Sequence, residues 1–411
     1  MALADIYQKA TLVQIPSGYK SGTLYSVVPN TAVGDFTVTG DAEGEATRVN
    51  KDGLVESVVA NQARLNYDPT NPQDPHLLLE PQRTNDTTHS EDFTQTSYWN
   101  NVVDVVATTN QTTAPDGSNT GNKIQANSGT NFKILRKGAF TIPSGITMSM
   151  FVKRGNHDYI IFKAQGDFNF NLSTLTWGGS YSNVGYELYP NDWVRLHHTT
   201  TSSSTSYFGI YLTDSSFNQS WNATGDEFVY VWGAQYETGT YPSSYIPTSG
   251  GAGTRTQDRC ISGGNDALFN DSEGVLFADL EALGDGTTAR KISLSGGGTD
   301  FVSIEFTTVA GVIAFSAGSI NNNFFSSIAV SGQTPKNRNK IAIKYKSGNT
   351  DCFINGIKVL PRTDVFTLSG LDKVNFENRA TSGSQNMFAK IHQLMVFNEA
   401  LTDAELTTLT S

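Results

Sequence analysis

The chain has 411 residues, a formal net charge of −11 and only 16% charged residues. That length exceeds one compact core and predicts two or three domains. The acidic balance excludes a nucleic-acid groove, which needs clustered cations to neutralise phosphates; the one basic stretch is Lys336-Asn337-Arg338-Asn339-Lys340.

No run of about 18 apolar residues is present, so no membrane insertion is expected. Met1-Ala2-Leu3-Ala4-Asp5 lacks the basic start and following apolar run of a secretory signal. Glycine (38) with recurrent Thr, Ser and Asn, and 11% aromatics, describe an all-β, turn-rich chain. Cys260 and Cys352 are too few for a disulfide framework and are read as two buried free thiols.

In chain order, residues 1–76 hold short strand-like pieces at 24–28, 35–38 and 54–60, broken by Pro16, Gly18, Pro29, Gly34 and Gly40. This block is too interrupted for a large core of its own. Asp68-Pro69-Thr70-Asn71-Pro72-Gln73-Asp74-Pro75 predicts an extended tether. Residues 77–250 carry clearer strands. In 146–152, Met148, Met150 and Val152 alternate with Ser149 and Phe151. In 228–232 both faces are apolar, as in a strand covered on both sides. Further strands are predicted at 159–164, 193–200 and 207–212, with Trp193 and Trp232 in the core. Ser249-Gly250-Gly251-Ala252-Gly253-Thr254 predicts a second tether.

Residues 255–411 begin with a strand at 274–283. In 340–346, Ile341, Ile343 and Tyr345 are expected inward and three lysines outward. Asn355-Gly356 between apolar runs predicts a hairpin, because both positions favour positive φ. Thr402-Asp403-Ala404-Glu405 is a capping box opening a short helix, whose Leu406 and Leu409 are expected on the sandwich edge. No solenoid period and no coiled-coil heptad run is present.

The joins carry a resemblance. Ala46-Thr47-Arg48-Val49-Asn50-Lys51-Asp52-Gly53-Leu54-Val55-Glu56 precedes Ala63-Arg64-Leu65-Asn66-Tyr67-Asp68. Leu77-Leu78-Leu79-Glu80-Pro81-Gln82-Arg83-Thr84-Asn85 and Ser90-Glu91-Asp92-Phe93 follow. This order resembles the leader of many tailed-phage structural and tail-fibre proteins. Met150-Phe151-Val152-Lys153-Arg154-Gly155, Asn191-Asp192-Trp193-Val194-Arg195, Tyr230–Glu237 and Tyr245-Ile246-Pro247-Thr248 continue it, in a domain similar to carbohydrate-binding-module jelly rolls. The third block resembles concanavalin A-like or laminin-G-like sandwiches. The resemblance, which covers about residues 46–411, implies two jelly-roll β-sandwich domains, 77–250 and 255–411; virion attachment is inferred for the N-terminal segment, 1–76, from its position. It implies a non-enzymatic virion protein, a tail or head fibre, that binds other virion proteins through its N-terminus. A trimer is the expected oligomer, and host surface glycans the expected ligand. Such a protein leaves the host by lysis.

The search for chemistry is mostly negative. Gly-x-Ser-x-Gly is absent, and Gly296-Gly297-Gly298 lacks the lysine of a phosphate loop. His197 and His198 are adjacent on a strand, so they face opposite ways and cannot share one ion. Asp279 and Glu281 share a strand face and resemble the paired acids of concanavalin A-like glucanases. That family has another Glu just before the Asp, where Phe277 and Ala278 stand here. No catalytic residue is assigned, and a polysaccharide depolymerase is the lesser alternative to a ligand-free capsid or tail decoration. No cofactor is expected apart from calcium, found in some laminin-G-like sandwiches, for which Asp266, Asp271 and Asp285 are loop carboxylates. A sugar site needs aromatic platforms with planar polar groups; the candidates are Trp177, Tyr181, Tyr186 and Trp221.

Overall fold

The computed structural model describes residues 3–16, 19–20, 23–40, 46–284, 288–296, 299–319, 322–378 and 384–411. Among these, the chain is an all-β protein of two sandwiches with two short helices. No helix among the described residues is long and apolar enough to cross a membrane.

One sandwich consists of two six-stranded antiparallel sheets. The first runs Asn101–Val103, Lys133–Ile142, Ser204–Leu212, Tyr159–Ala164, Gly166–Asn171, Thr176–Trp177; the second runs Val105–Thr112, Gly121–Ala126, Phe228–Thr238, Ile146–Arg154, Trp193–Thr199, Val184–Tyr189. Alternation decides what each strand buries. Ile160, Phe162 and Ala164 enter the core with Phe208, Ile210, Met148, Met150, Val229 and Val231. Ile146–Arg154 is buried on both faces, because Phe151 packs outward on Trp193, Trp232 and Tyr245. Both tryptophans are buried, as their strand positions predict.

The other sandwich pairs an eight-stranded sheet with a five-stranded one. Its larger sheet contains the C-terminal strands Glu273–Ala282, Asn339–Lys346 and Ala389–Phe397, and also Leu12–Gln14, Arg64–Asp68 and Asn71–Leu79. The segment expected to stand apart over residues 1–76 is therefore no unit by itself. Leu12, Leu24, Phe36 and Ala63 share one core with Cys260, Leu276, Ile343 and Cys352. Both cysteines are buried and free.

The expected proline tether is also corrected. Asn71–Leu79 is a strand, paired to Ala389–Phe397 through Leu77↔Ile391, Leu78↔Lys390 and Leu79↔Ala389. Burial of Leu77 and Leu79 outweighs the proline content. Pro72 and Pro75 fall outside the paired registers, where a missing N–H loses no ladder bond.

The C-terminal helix, Asp403–Thr410, has both hydrogen bonds of its capping box. Leu406 and Leu409 pack on the outer face of the large sheet, against Phe277, Ala342, Phe353 and Phe397, rather than on its edge. Ile6 of the helix Leu3–Tyr7 completes that cluster. Lys344, expected outward in water, is buried beside Asp351 and 3.3 Å from Asp403. The Asn355-Gly356 hairpin has φ of 50° and 79° at its two turn residues.

The chain thus lays down three strands of one sandwich's larger sheet, leaves to build the other sandwich, and returns to complete the first. The exit and return strands pair with each other: Arg83–Asn85 lies antiparallel to Gly253–Arg255. The predicted glycine tether is therefore partly strand, and the inserted sandwich is held by two chain connections. A buried ion cluster closes the joint. Arg64 donates from Nη1 to Glu80 Oε2 at 2.7 Å and to Ser244 Oγ at 2.9 Å, and from Nη2 to Asp258. Arg255 Nη1 lies 2.8 Å from Glu80 Oε2, and its Nη2 donates to the Pro81 carbonyl. Glu80 Oε1 accepts from Ser244 N at 2.9 Å. Burial alone would raise the Glu80 carboxyl, but Arg255 and Arg64 hold it down to about 2.

Glu80→Gln leaves two buried guanidinium groups with one carboxylate fewer. Its unfolding free energy, from urea titration, is expected to fall by about 3–5 kcal/mol. The folded Glu80 pKa lies below the usual 4.5, so its contribution is present above pH 4.5 and is lost as pH falls towards 2. The difference between parent and variant should shrink over that window; a constant difference would refute the assignment.

Candidate carbohydrate-binding site

Three of the four aromatic candidates meet at one edge of the inserted sandwich. Thr176–Trp177 is the edge strand of the first sheet, paired through Phe170↔Trp177. Val184–Tyr189 is the edge strand of the second, paired through Tyr186↔Leu196. The chain between them crosses the gap between sheets, so its aromatics close the open edge. Phe170 is the shared backing: its ring is 4.8 Å from Trp177 and 5.6 Å from Tyr186. Trp177 and Tyr181 lie 6.1 Å apart, edge to face. Tyr181 meets Phe168 at 5.2 Å, and its hydroxyl accepts from Asn169 N at 3.2 Å. Tyr186 is 38% exposed, while Trp177 and Tyr181 are half-buried against the core. Beside Trp177, Gly178 lets the Phe217 ring approach the backbone, since a Cβ there would sit 2.6 Å from it.

Trp221 is not part of this ridge. It stacks on His157 at 5.2 Å and 11°, and its Nε1 donates to the Leu212 carbonyl at 2.9 Å. His198 supports the ridge from inside, with its ring 4.4 Å from Phe168. Burial pushes its imidazole down to about 4, so it is neutral at pH 7. His197 instead lies against Gly185.

A cavity of ≈ 650 Å³ lies beside Leu188 of the same edge strand, lined also by Leu172 and Leu175 and rimmed by Arg154, Ser173, Asn191 and Asp192; none of the three ridge aromatics lines it. Leu188 lies two residues beyond Tyr186 on Val184–Tyr189, so the two share a strand face; Leu172 follows directly on the end of Gly166–Asn171. Apolar rings on one side and planar polar groups on the other are what a saccharide needs. Sequence reasoning missed the rim. Its one local signal is Asn191-Asp192, both at positive φ (59° and 63°). It also missed the outer face of the first sheet, where Arg136 lies 3.5 Å over the Tyr207 ring and Lys163 pairs with Asp167 at 2.6 Å. Alternation signals this, since Phe208, Ile210 and Leu212 inside place Tyr207 and Tyr211 outside.

The carboxylates weighed for catalysis are engaged. Asp279 accepts from Arg338 at 2.7 and 2.8 Å, and Glu281 lies 2.6 Å from Lys390. Asp271, weighed for calcium, accepts from Gly370 N and Leu371 N at 2.8 and 2.9 Å. Asp266 opens a 3-10 turn, and Asp285 and Gly297-Gly298 lie outside the described residues. Among the described residues no group of three His, Cys, Asp or Glu is placed to hold a metal ion.

No family model and no curated protein matches the chain. Solved structures resemble part of it. The CBM40 of Ruminococcus gnavus IT-sialidase, bound to α2,3-sialyllactose, is 13% identical, with 37% of this chain and 94% of that chain covered and a TM-score of 0.31. Domain 4 of an extracellular GH43 arabinanase from Geobacillus stearothermophilus, in complex with arabinotriose, is 15% identical over 38% and 73% of the two chains, at 0.30. The botulinum neurotoxin serotype D binding domain is 13% identical over 36% and 39%, at 0.29.

Trp221 is anchored by a stack and a hydrogen bond, whereas Tyr186 stands more than a third exposed. Trp221→Ala is expected to cost about 2–4 kcal/mol in denaturant unfolding, and Tyr186→Ala about 1 kcal/mol or less. Equal losses would show that Tyr186 is packing material rather than available surface.

Proposed function

We propose that this chain is a non-enzymatic glycan-binding component of a tailed-phage virion, a tail or head fibre protein. The observation that carries the glycan reading is the Trp177–Tyr181–Tyr186 ridge, whose Tyr186 shares a strand face with Leu188 of a polar-rimmed cavity. A sugar ring laid on the ridge would stack on aromatic faces while Arg154, Ser173, Asn191 and Asp192 met its hydroxyls. The phage reading rests on the ordered leader from Ala46 to Asn85 and its resemblance to tailed-phage structural proteins. In this reading the N-terminal block docks on other virion proteins and the inserted sandwich faces the host. Exposed Leu3, Tyr7, Val27, Val28 and Val33 offer apolar contact area in that block. One shallow site of this kind binds weakly, so several copies, as in a trimer, would supply avidity.

A ligand-free decoration protein is the second reading, favoured by the packing of Trp177 and Tyr181 against the core. A depolymerase is disfavoured, since Asp279 and Glu281 are each neutralised by a cation.

A glycan array probed with the intact chain separates these readings. Binding to a bacterial surface glycan is expected, and Trp177→Ala or Tyr186→Ala should weaken it about 10-fold, the equivalent of about 1.4 kcal/mol. Folded protein that binds nothing on the array would favour decoration. Release of reducing ends that is abolished by Glu281→Gln would establish the depolymerase.

A further inference from the structure

The cavity of ≈ 650 Å³ takes its walls from both sheets of the inserted sandwich. Leu172 and Leu175 come from the turn between two strands of the first sheet, Leu188 and Val194 from strands of the second. Leu188 pairs with Val194, so both side chains point to the same side of the sheet, the core side. Val194 is buried there, whereas Leu188 is left 37% exposed. The volume falls within the range of about 300–1,000 Å³ usual for small-molecule sites.

Both walls are fixed by their own turns. Asn171 Oδ1 accepts from Ser173 N at 2.9 Å and from Thr174 N at 3.1 Å, which ties down the first turn. That turn holds Leu175 at φ 56°, a conformation a bulky side chain rarely adopts. On the other side Asn191 and Asp192 stand at φ 59° and 63°, directly before the buried Trp193, whose Nε1 donates to the Thr113 carbonyl at 2.9 Å.

The chemistry of this wall differs from that of the ridge. Aromatic rings offer flat faces, which suit the face of a sugar ring. Leucines offer only methyl groups, which favour a small alkyl substituent and penalise a hydroxyl buried without a partner. At the rim the Asn191 amide both donates and accepts, and the Asp192 carboxylate accepts. An acetamido group answers each of these: a methyl for the leucines, a carbonyl for the Asn191 amide, and an N–H for a rim oxygen. An O-acetyl ester has no N–H to give. Tyr186 and Leu188 are two residues apart on one strand face, about 7 Å, so a single ring and its substituent can touch both.

We propose that this cavity takes the acetamido group of an N-acetylated amino sugar whose ring lies against Tyr186, an assignment that rests on the glycan reading of the ridge.

The test is an NMR titration of the intact chain with N-acetylglucosamine, glucosamine and glucose. N-acetylglucosamine is expected to saturate and to bind at least about 10-fold tighter than the other two sugars. Leu188→Ser, at a position already partly exposed, should weaken it about 5-fold and leave glucose unchanged. Asn191→Gly keeps the left-handed backbone and removes the amide, and should weaken it as well. Glucose or glucosamine binding as tightly as N-acetylglucosamine would overturn the acetamido assignment, as would a folded Leu188→Ser variant that binds N-acetylglucosamine normally. Array binding confined to glycans without N-acetyl groups would overturn this inference and leave the ridge reading standing. Folded protein that binds no glycan at all would end both.

Discussion

The architecture depends on four charged side chains hidden at the joint between the sandwiches: Arg64 and Arg255 against Glu80 and Asp258. Removing ions from water costs several kcal/mol each, and their attraction repays it only with close geometry and further hydrogen bonds. Here that condition is met. Two cations face two anions, Ser244 donates to Glu80 from both N and Oγ, and Glu80 N donates to Asp258 at 2.7 Å. Hydrophobic burial would tolerate a slip of one sandwich on the other, because it is non-directional. A charge cluster does not, since a displaced sandwich would leave a buried ion without its partner.

The same cluster explains why the leader motif is ordered as it is. Arg64 lies in the Ala63–Asp68 stretch, Glu80 follows Leu77-Leu78-Leu79, and Asn85 ends the next stretch. Leu77 and Leu79 belong to one core. Asn85 belongs to the other sandwich, donating to the Ala234 and Ile246 carbonyls at 3.2 and 2.9 Å. Nine residues therefore hand the chain from one core to the next, with the buried carboxylate midway.

What was legible in the sequence was local. The capping box at Thr402, the Asn355-Gly356 turn and the inward tryptophans each follow from residues a few positions apart. The joint was illegible because its partners are distant: Arg64 and Glu80 are 16 residues apart, and Arg64 and Asp258 are 194. A lone Arg or Glu in sequence reads as surface. The proline tether misled for a related reason. Proline content is visible locally, but the partner strand Ala389–Phe397 that claims Leu77 and Leu79 lies some three hundred positions away. The candidate site divides the same way. Trp177 and Tyr181 could be picked out by composition, whereas the rim formed by Arg154, Ser173 and Asp192 exists only once a strand end and two turns converge.

Insertion of one sandwich into the other has a mechanical consequence. A domain on a single flexible linker swings, and its binding sites reach targets by chance orientation. Here the entry and exit strands pair across Arg83–Asn85 and Gly253–Arg255, and the ion cluster lies beside them. Two chain connections and a direction-specific contact hold the ridge at a fixed attitude to the sandwich that contains the N-terminal strands. For a weak site presented in several copies, fixed attitude decides whether a second copy can engage once the first has bound, because effective concentration collapses when geometry forbids it. Under the proposed glycan reading, Glu80 would act on binding without touching a ligand, by setting where the ridge points.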